Sequence, residues 1–523
     1  MLWCRTGNVQ ALSKLGLPPI NLEDGPQGVA DQLKNVTGWP SQLTVAMAWS
    51  PSLMEEWGAA MGKEQKLKGT NVMLGPDVNL ARVPWSGRVF ETNGEDPFLS
   101  AALVRSEIKG IQSNNISACV KHYIFNNHEC NRETYSANVP ERVGRELYAP
   151  GFLAAVDAGV GSVMCAFNRV NDTFSCQNHG ALQSLLKDDG GFRGWVVTDW
   201  GAQHDLIPSA NGGLDQEMEW VENANHTRYG QPGFANAEFL AALQNGSIPM
   251  SRLDDMASRI LTPMYALGLV DDPPKAAQTT AAVTRSTERD ALALKLSEQS
   301  IALLKNEASL LPFLPKQLHE PVLSTRTAKP EFRQKTIIVF GDEASVAGHG
   351  SGGVVMPTVT LVSTELAKLF PASEVRVSHS ATTDPEAAAA LAESADLAVV
   401  VVRTITGEGM DRTNLTLSGS KENPVGPDQD KLVAAIAAKA GSKTCVLARV
   451  SGAFAMPWLD NVAAVLYQLM PGQAAGIAAA KAITGQINPQ GKLPVSFPPS
   501  IDDTWLGTPL NPAQYPGVTK SQE

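Results

Sequence analysis

The chain has 523 residues, 43% of them hydrophobic and 18% charged, the composition of a globular protein long enough for two or more domains. Asp and Glu total 53 against 42 Lys and Arg, and the net charge of −11 comes with no basic run, which argues against nucleic acid or an anionic membrane as partner. The longest apolar runs, such as 397–402, fall far short of the ~20 residues that cross a bilayer, so no transmembrane helix is expected.

The amino terminus, Met1-Leu-Trp-Cys-Arg-Thr-Gly-Asn, lacks the apolar stretch of a secretory signal. Beyond it, the spacing predicts helices over 52–68 and 142–156, and strands over 71–74, 117–120, 162–166 and 195–198. Alternating strands and helices imply right-handed crossovers and a parallel sheet, here a (β/α)8-type barrel over residues 1–268. Polar residues follow the predicted strands, namely Lys121, Asn168 and Asp199, and in a barrel the carboxyl ends of the strands carry the active site.

Residues 269–299 form an expected linker, rich in Asp, Pro, Ala and Thr over 271–282. Continuous β-branched runs at 336–340, 397–402, 444–450 and 463–469, with Ala-rich helices at 385–394 and 473–484, then predict an α/β sandwich domain over 300–500. Residues 501–523 lose periodicity and read as a tail.

Asp199 is the best-placed carboxylate in the chain. It follows a buried strand and precedes Trp200, so it should project into the barrel mouth beside an aromatic platform; the alternative is an Asp capping the next helix. Glu408 sits between Gly407 and Gly409 after the 397–402 strand, and glycines on both sides let a loop carry a carboxyl group away from its own domain, although an exposed turn fits the pattern too. Gly348-His349-Gly350-Ser351-Gly352-Gly353 also follows a strand, but it lacks both the dinucleotide spacing and the Gly-Lys-Ser ending of phosphate loops. Lys121 and His122 form a basic pair at another strand end, with Arg132 eleven residues beyond Lys121; alone each fits a structural ion pair, but with Asp199 they suggest a polar pocket that holds hydroxyls and keeps a carboxylate ionised. Cys165 and Cys176, on either side of an Asn-Asp turn, suggest a short disulfide loop, with buried free thiols as the alternative. Six Asn-X-Ser/Thr sequons, at Asn35, Asn115, Asn171, Asn225, Asn245 and Asn414, lean towards a secreted glycoprotein.

Eight segments in order resemble glycoside hydrolase family 3, in particular its fungal β-glucosidases. They are DGPQG from Asp24, GPDVNLARVPWSGRVFETNGEDPFLS from Gly75, KHYIFNNHECNRET from Lys121, GSVMCAFNRVND from Gly161, GWVVTDWGAQHD from Gly194, GHGSGG from Gly348, GEGMDRTNLTL from Gly407 and GKLPVSFP from Gly491. The resemblance implies a barrel followed by an α/β sandwich with the site between them, Asp199 as nucleophile and Glu408 as acid/base lent by the second domain. It places the first sugar subsite on Asp24, Arg88, Lys121, His122, Arg132, Trp200 and Ser351. It implies β-glucosides or cello-oligosaccharides as substrates and no metal or organic cofactor. Exo-acting hydrolysis with retention through a glycosyl-enzyme is the implied reaction, with a β-xylosidase or a weakened glycan-binding homologue as alternatives. Lys121 and Arg132 are expected to hold Asp199 ionised.

Three departures stand out. Phe167 occupies a position where relatives place Tyr, whose hydroxyl contacts the nucleophile; Cys4 lacks the partner that relatives place where Asn21 stands; and the fibronectin-like third domain common in relatives is not expected after residue 500.

Overall fold

The computed structural model describes residues 7–30, 33–218, 233–273, 283–314, 334–418 and 427–500. Cys4, Asn225 and the predicted tail lie outside them.

The first unit is built on a curled sheet of β1 (Gly7–Val9), β2 (Ile20–Asp24), β3 (Val72–Leu74), β4 (Ser117–Tyr123), β6 (Ser162–Cys165) and β9 (Trp195–Thr198), paired in that order. All neighbours are parallel except β1 and β2. A small second sheet of β5 (Ser136–Ala137), β7 (Arg169–Val170) and β8 (Thr173–Phe174) flanks it. Strand residues alternate between two cores. Cys119, Met164, Trp195 and Val197 pack inside the curl with Leu22, Val72 and Leu74, whereas Val120, Val163 and Val196 pack outward against Trp57, Leu103 and Ile108 of the helix layer. Those helices, Pro51–Leu67 and Pro97–Gln112, start where the sequence says they should: the Ser50 hydroxyl accepts from Leu53 N, the Asp96 carboxylate accepts from Phe98 and Leu99 N, and each has Pro in its first turn.

Eight-stranded closure is not seen among the described residues. Beyond β9, among the described residues, a parallel bridge between Val197 and Gln216 continues the sheet, with Gln216 N donating to Val196 O (2.9 Å) and Thr198 N to Gln216 O (3.1 Å).

The second unit holds β10 (Ala302–Asn306), β11 (Lys335–Gly341), β12 (Val375–Ser380), β13 (Leu397–Arg403), β14 (Thr444–Arg449) and β15 (Ala464–Tyr467), in the order β10-β15-β14-β13-β11-β12. Only β10 runs antiparallel. The unbroken apolar run of β13 is explained by burial on both faces: Ala398, Val400 and Val402 enter one core, and Leu397, Val399 and Val401 the other.

The expected linker is not loop throughout. Residues Thr287–Gln299 form a helix capped by Ser286, and Leu292, Ala293 and Leu296 join the core of the first unit. Its 3.6-residue period lies behind the Pro- and Ala-rich stretch that suggested a connection. Cys165 and Cys176 are joined by a disulfide, which ties the end of β6 to the turn Ser175–Gln177.

Candidate active site

Asp199 is the first residue beyond β9. Its N–H donates to Cys165 O (3.1 Å) on the neighbouring strand, and its Oδ1 accepts from Trp200 N (2.8 Å). The helix-capping alternative does not apply, since the next helix begins after Asp205. Asp199 Oδ2 is buried and has no hydrogen-bond partner among the described residues. The nearest ring nitrogen, His122 Nε2, lies 3.7 Å away. Trp200 packs against the core inside the curl.

Lys121 and His122 are consecutive on β4, yet both reach the mouth, because the β4–β6 register slips between Val120 and Tyr123. Lys121 Nζ pairs with Asp24 Oδ1 (3.3 Å) at the end of β2, and both residues are buried. His122 Nδ1 meets Asp77 Oδ2 at 3.1 Å. Burial, then the charges of Arg88, Lys121 and Arg132, push the imidazole well below its usual pKa, so it is neutral rather than half of a cationic pair. Burial likewise pushes the Asp77 carboxyl up to about 8.

From the second unit, the loop after β13 brings Glu408 to the same mouth. Its Oε1 accepts from Arg132 Nη2 (2.7 Å) and lies 3.6 Å from Arg88 Nη1; its Oε2 accepts from Ser351 N (3.0 Å). The glycine loop is thus an anion cradle for the protein's own carboxylate. Gly350 has φ +84, and a Cβ there would collide with Glu408 Cβ, so the loop needs glycine for both conformation and space. Arg88 is held by Glu91 through two hydrogen bonds (2.9 and 2.7 Å) and donates to Ser351 Oγ (2.9 Å). Arg132 is held by Glu129 (2.8 Å) and lies 4.7 Å above the ring centre of buried Phe167.

The electrostatics differ in part from expectation. Burial pushes Glu408 up, but Arg88 and Arg132 overcome it and hold the carboxyl well below the usual carboxylate range. Asp199 is raised by burial, and Glu408 adds to the rise against the opposing charges of Arg132, Arg88 and Lys121. Arg132 and Lys121 favour the ionised form of Asp199, as expected, although burial outweighs them in the direction of its shift and each also pairs elsewhere, Lys121 with Asp24 and Arg132 with Glu408 and Glu129.

Direct contacts link Asp24 with Lys121, His122 with Asp199, Arg132 with Phe167, and Arg88, Arg132 and Ser351 with Glu408, while Trp200 lies against the core inside the curl. Asp77, Glu91, Glu129 and Asp411 were not anticipated. Two of them left a readable signal: Arg88 with Glu91 and Glu129 with Arg132 are opposite charges three residues apart.

Residues 4–262 match the Glycosyl hydrolase family 3 N terminal domain, and residues 301–521 match the Glycosyl hydrolase family 3 C-terminal domain. The chain is 34% identical over 520 residues to a "Probable beta-glucosidase L" of Aspergillus terreus, covering 96% of this chain and 69% of that protein. Among solved structures it is similar to the β-glucosidase D2-BGL from Chaetomella raphigera, with a TM-score of 0.83, 30% identity, and coverage of 95% of this chain and 70% of that one. It is also similar to DesR, a β-glucosidase from Streptomyces venezuelae solved with D-glucose, with a TM-score of 0.83, 27% identity, and coverage of 98% and 77%. With both halves matched in order and the fold shared along nearly its whole length, the chain belongs to glycoside hydrolase family 3 and is a glycosidase.

Proposed function

We propose that this protein is a retaining, exo-acting β-glucosidase that removes terminal β-D-glucosyl residues from β-glucosides and cello-oligosaccharides. The observation that carries the reading is the meeting of two carboxyl groups from different units, Asp199 and Glu408, around the shared guanidinium groups of Arg88 and Arg132. The names of the relatives support glucose as the sugar.

Asp199 attacks the anomeric carbon as the bond to the aglycone oxygen breaks, and Glu408 delivers a proton to that oxygen. In the second half Glu408 takes a proton from water, which attacks the same carbon and releases Asp199. Arg88 and Arg132 hold Glu408 as a carboxylate in the ligand-free site, and a bound glucoside that draws either arginine away lets Glu408 take a proton from solvent before it donates to the aglycone oxygen. Asp24, Lys121, His122, Arg88 and Ser351 grip the sugar hydroxyls beside Trp200, and such placement lowers the barrier by several kcal/mol. The Cys165–Cys176 disulfide and the sequons support an extracellular or secretory setting.

One observation favours a second reading, a weakened glycan-binding homologue: Phe167 offers no hydroxyl, and Asp199 Oδ2 has no hydrogen-bond partner among the described residues. Hydrolysis of aryl β-glucoside and aryl β-xyloside, followed by proton NMR of the first sugar released, tests the proposal. Glucoside turnover ahead of xyloside, with β-glucose appearing first, is expected. The α-anomer appearing first, a preference for xyloside, or glucose binding without turnover contradicts it.

A further inference from the structure

Asp411 lies three residues beyond Glu408. Its carboxylate is the meeting point of two loops of the first unit. Oδ1 accepts from Gly87 N (2.8 Å), both oxygens accept from Glu129 N (3.1 and 3.0 Å), and Oδ2 accepts from Cys130 N (2.8 Å). These are the loops that carry Arg88, adjacent to Gly87, and Arg132, three residues past Glu129, and both arginines face Glu408. The docking is close on every side. A Cβ at Gly87 would collide with Gly407 O and Met410 O, Thr406 Oγ1 donates to Gly87 O (2.5 Å), and Glu129 Oε2 accepts from Gly409 N (2.8 Å). Arg412 completes the seam by donating from Nη2 to Pro84 O (2.8 Å).

We infer that Asp411 is a positioning residue: by binding backbone N–H groups of both arginine-bearing loops, it sets where Glu408 stands over the barrel mouth and so controls proton delivery to the leaving group. A carboxylate suits the task because ionised acceptors make the stronger hydrogen bonds, and one group can serve several donors. Without it, the Gly87, Glu129 and Cys130 N–H groups lose their acceptor, and Glu408 keeps its chemistry but loses its register with the barrel.

The inference rests on Glu408 being the acid/base, so Glu408→Ala is measured beside Asp411→Ala and Asp411→Asn on aryl β-glucosides whose leaving groups range from phenol to 2,4-dinitrophenol. A misplacement near 1 Å costs about 10²-fold, so Asp411→Ala should lower kcat/KM by about that factor for phenyl glucoside and far less for the dinitrophenyl substrate, which departs without a proton. The loss should fall on kcat with KM little changed, and Asp411→Asn, which keeps one acceptor oxygen, should lie between wild type and Asp411→Ala. If Asp411→Ala does not fold, the Asp411→Asn gradient decides in the same way. A gradient for Glu408→Ala with a uniform loss, or none, in the Asp411 variants overturns the positioning role alone. Absence of the gradient in Glu408→Ala overturns the acid/base assignment and this inference with it.

Discussion

The two carboxyl groups of the cleft are placed by different physics. Asp199 is set by a sheet: it follows a buried strand, its N–H bonds to the neighbouring strand, and its position follows from the carboxyl edge of the curled parallel sheet. Glu408 is set by a seam between units, where Arg132 lies 276 residues away in sequence, and Asp411 and the glycine loop align the backbone. Their electrostatics are opposed as well. The strand-end group is raised by burial, with one oxygen lacking a hydrogen bond among the described residues, whereas the loop group is depressed by two guanidiniums. A carboxylate on a rigid strand tolerates desolvation because the sheet holds it; one on a loop needs charge partners to hold it at all.

This contrast can be broken at either end. The largest expected effect comes from Glu408→Ala, which should lower kcat/KM by about 10²–10⁴-fold for glucosides with poor leaving groups and least for dinitrophenyl glucoside, with azide giving glucosyl azide as product. Uniform loss without azide product would make Glu408 a structural ion-pair member. At the strand end, Phe167→Tyr should supply a donor for Asp199 Oδ2, which has none among the described residues. A hydrogen bond to a charged group contributes about 1.5 to 3 kcal/mol, and turnover on aryl β-glucosides should rise by about tenfold, the factor that ~1.4 kcal/mol produces. No change, or a fall, would mean that the pocket has closed around the phenyl ring and its cation–π contact with Arg132.

The effect with least bearing on turnover lies outside the cleft and tests whether burial alone raises a carboxyl in the first unit. Glu107, in the helix Pro97–Gln112, is fully buried with neither oxygen hydrogen-bonded among the described residues, and burial pushes its carboxyl up to about 8. The folded state therefore keeps a proton that the unfolded chain releases above its ordinary value of 4.5. Stability from this group is fully present below that value and is lost as pH rises towards 8, by at most about 1.4 kcal/mol per pH unit. Glu107→Gln removes the titration, so its melting temperature relative to wild type should climb between pH 5 and pH 8. Parallel curves would show that Glu107 is not held as the acid.

Much of this could be read from the sequence, and the exceptions have physical causes. Asp199 was legible because strand burial and barrel topology are local patterns, and β13 because burial on both faces leaves an unbroken apolar run. From local pattern alone Glu408 was legible only as a carboxyl on a glycine-flanked loop, since its arginine partners belong to another unit; the resemblance to the family implied the rest. The neutral state of His122 could not be seen, because it follows from burial beside Arg88 and Lys121. Asp411 could not be seen either: a carboxylate whose partners are backbone N–H groups leaves no complementary side chain in the sequence. The helix Thr287–Gln299 was hidden by the Pro- and Ala-rich stretch before it.

The central claim is that the strand-end carboxylate forms the covalent bond. Incubation with 2,4-dinitrophenyl 2-deoxy-2-fluoro-β-D-glucoside, which slows breakdown of a glycosyl-enzyme, followed by peptide mapping in a mass spectrometer, tests it directly. The account predicts one fluoroglucosyl group on the peptide containing Asp199; the label on Glu408 or another carboxylate would contradict it.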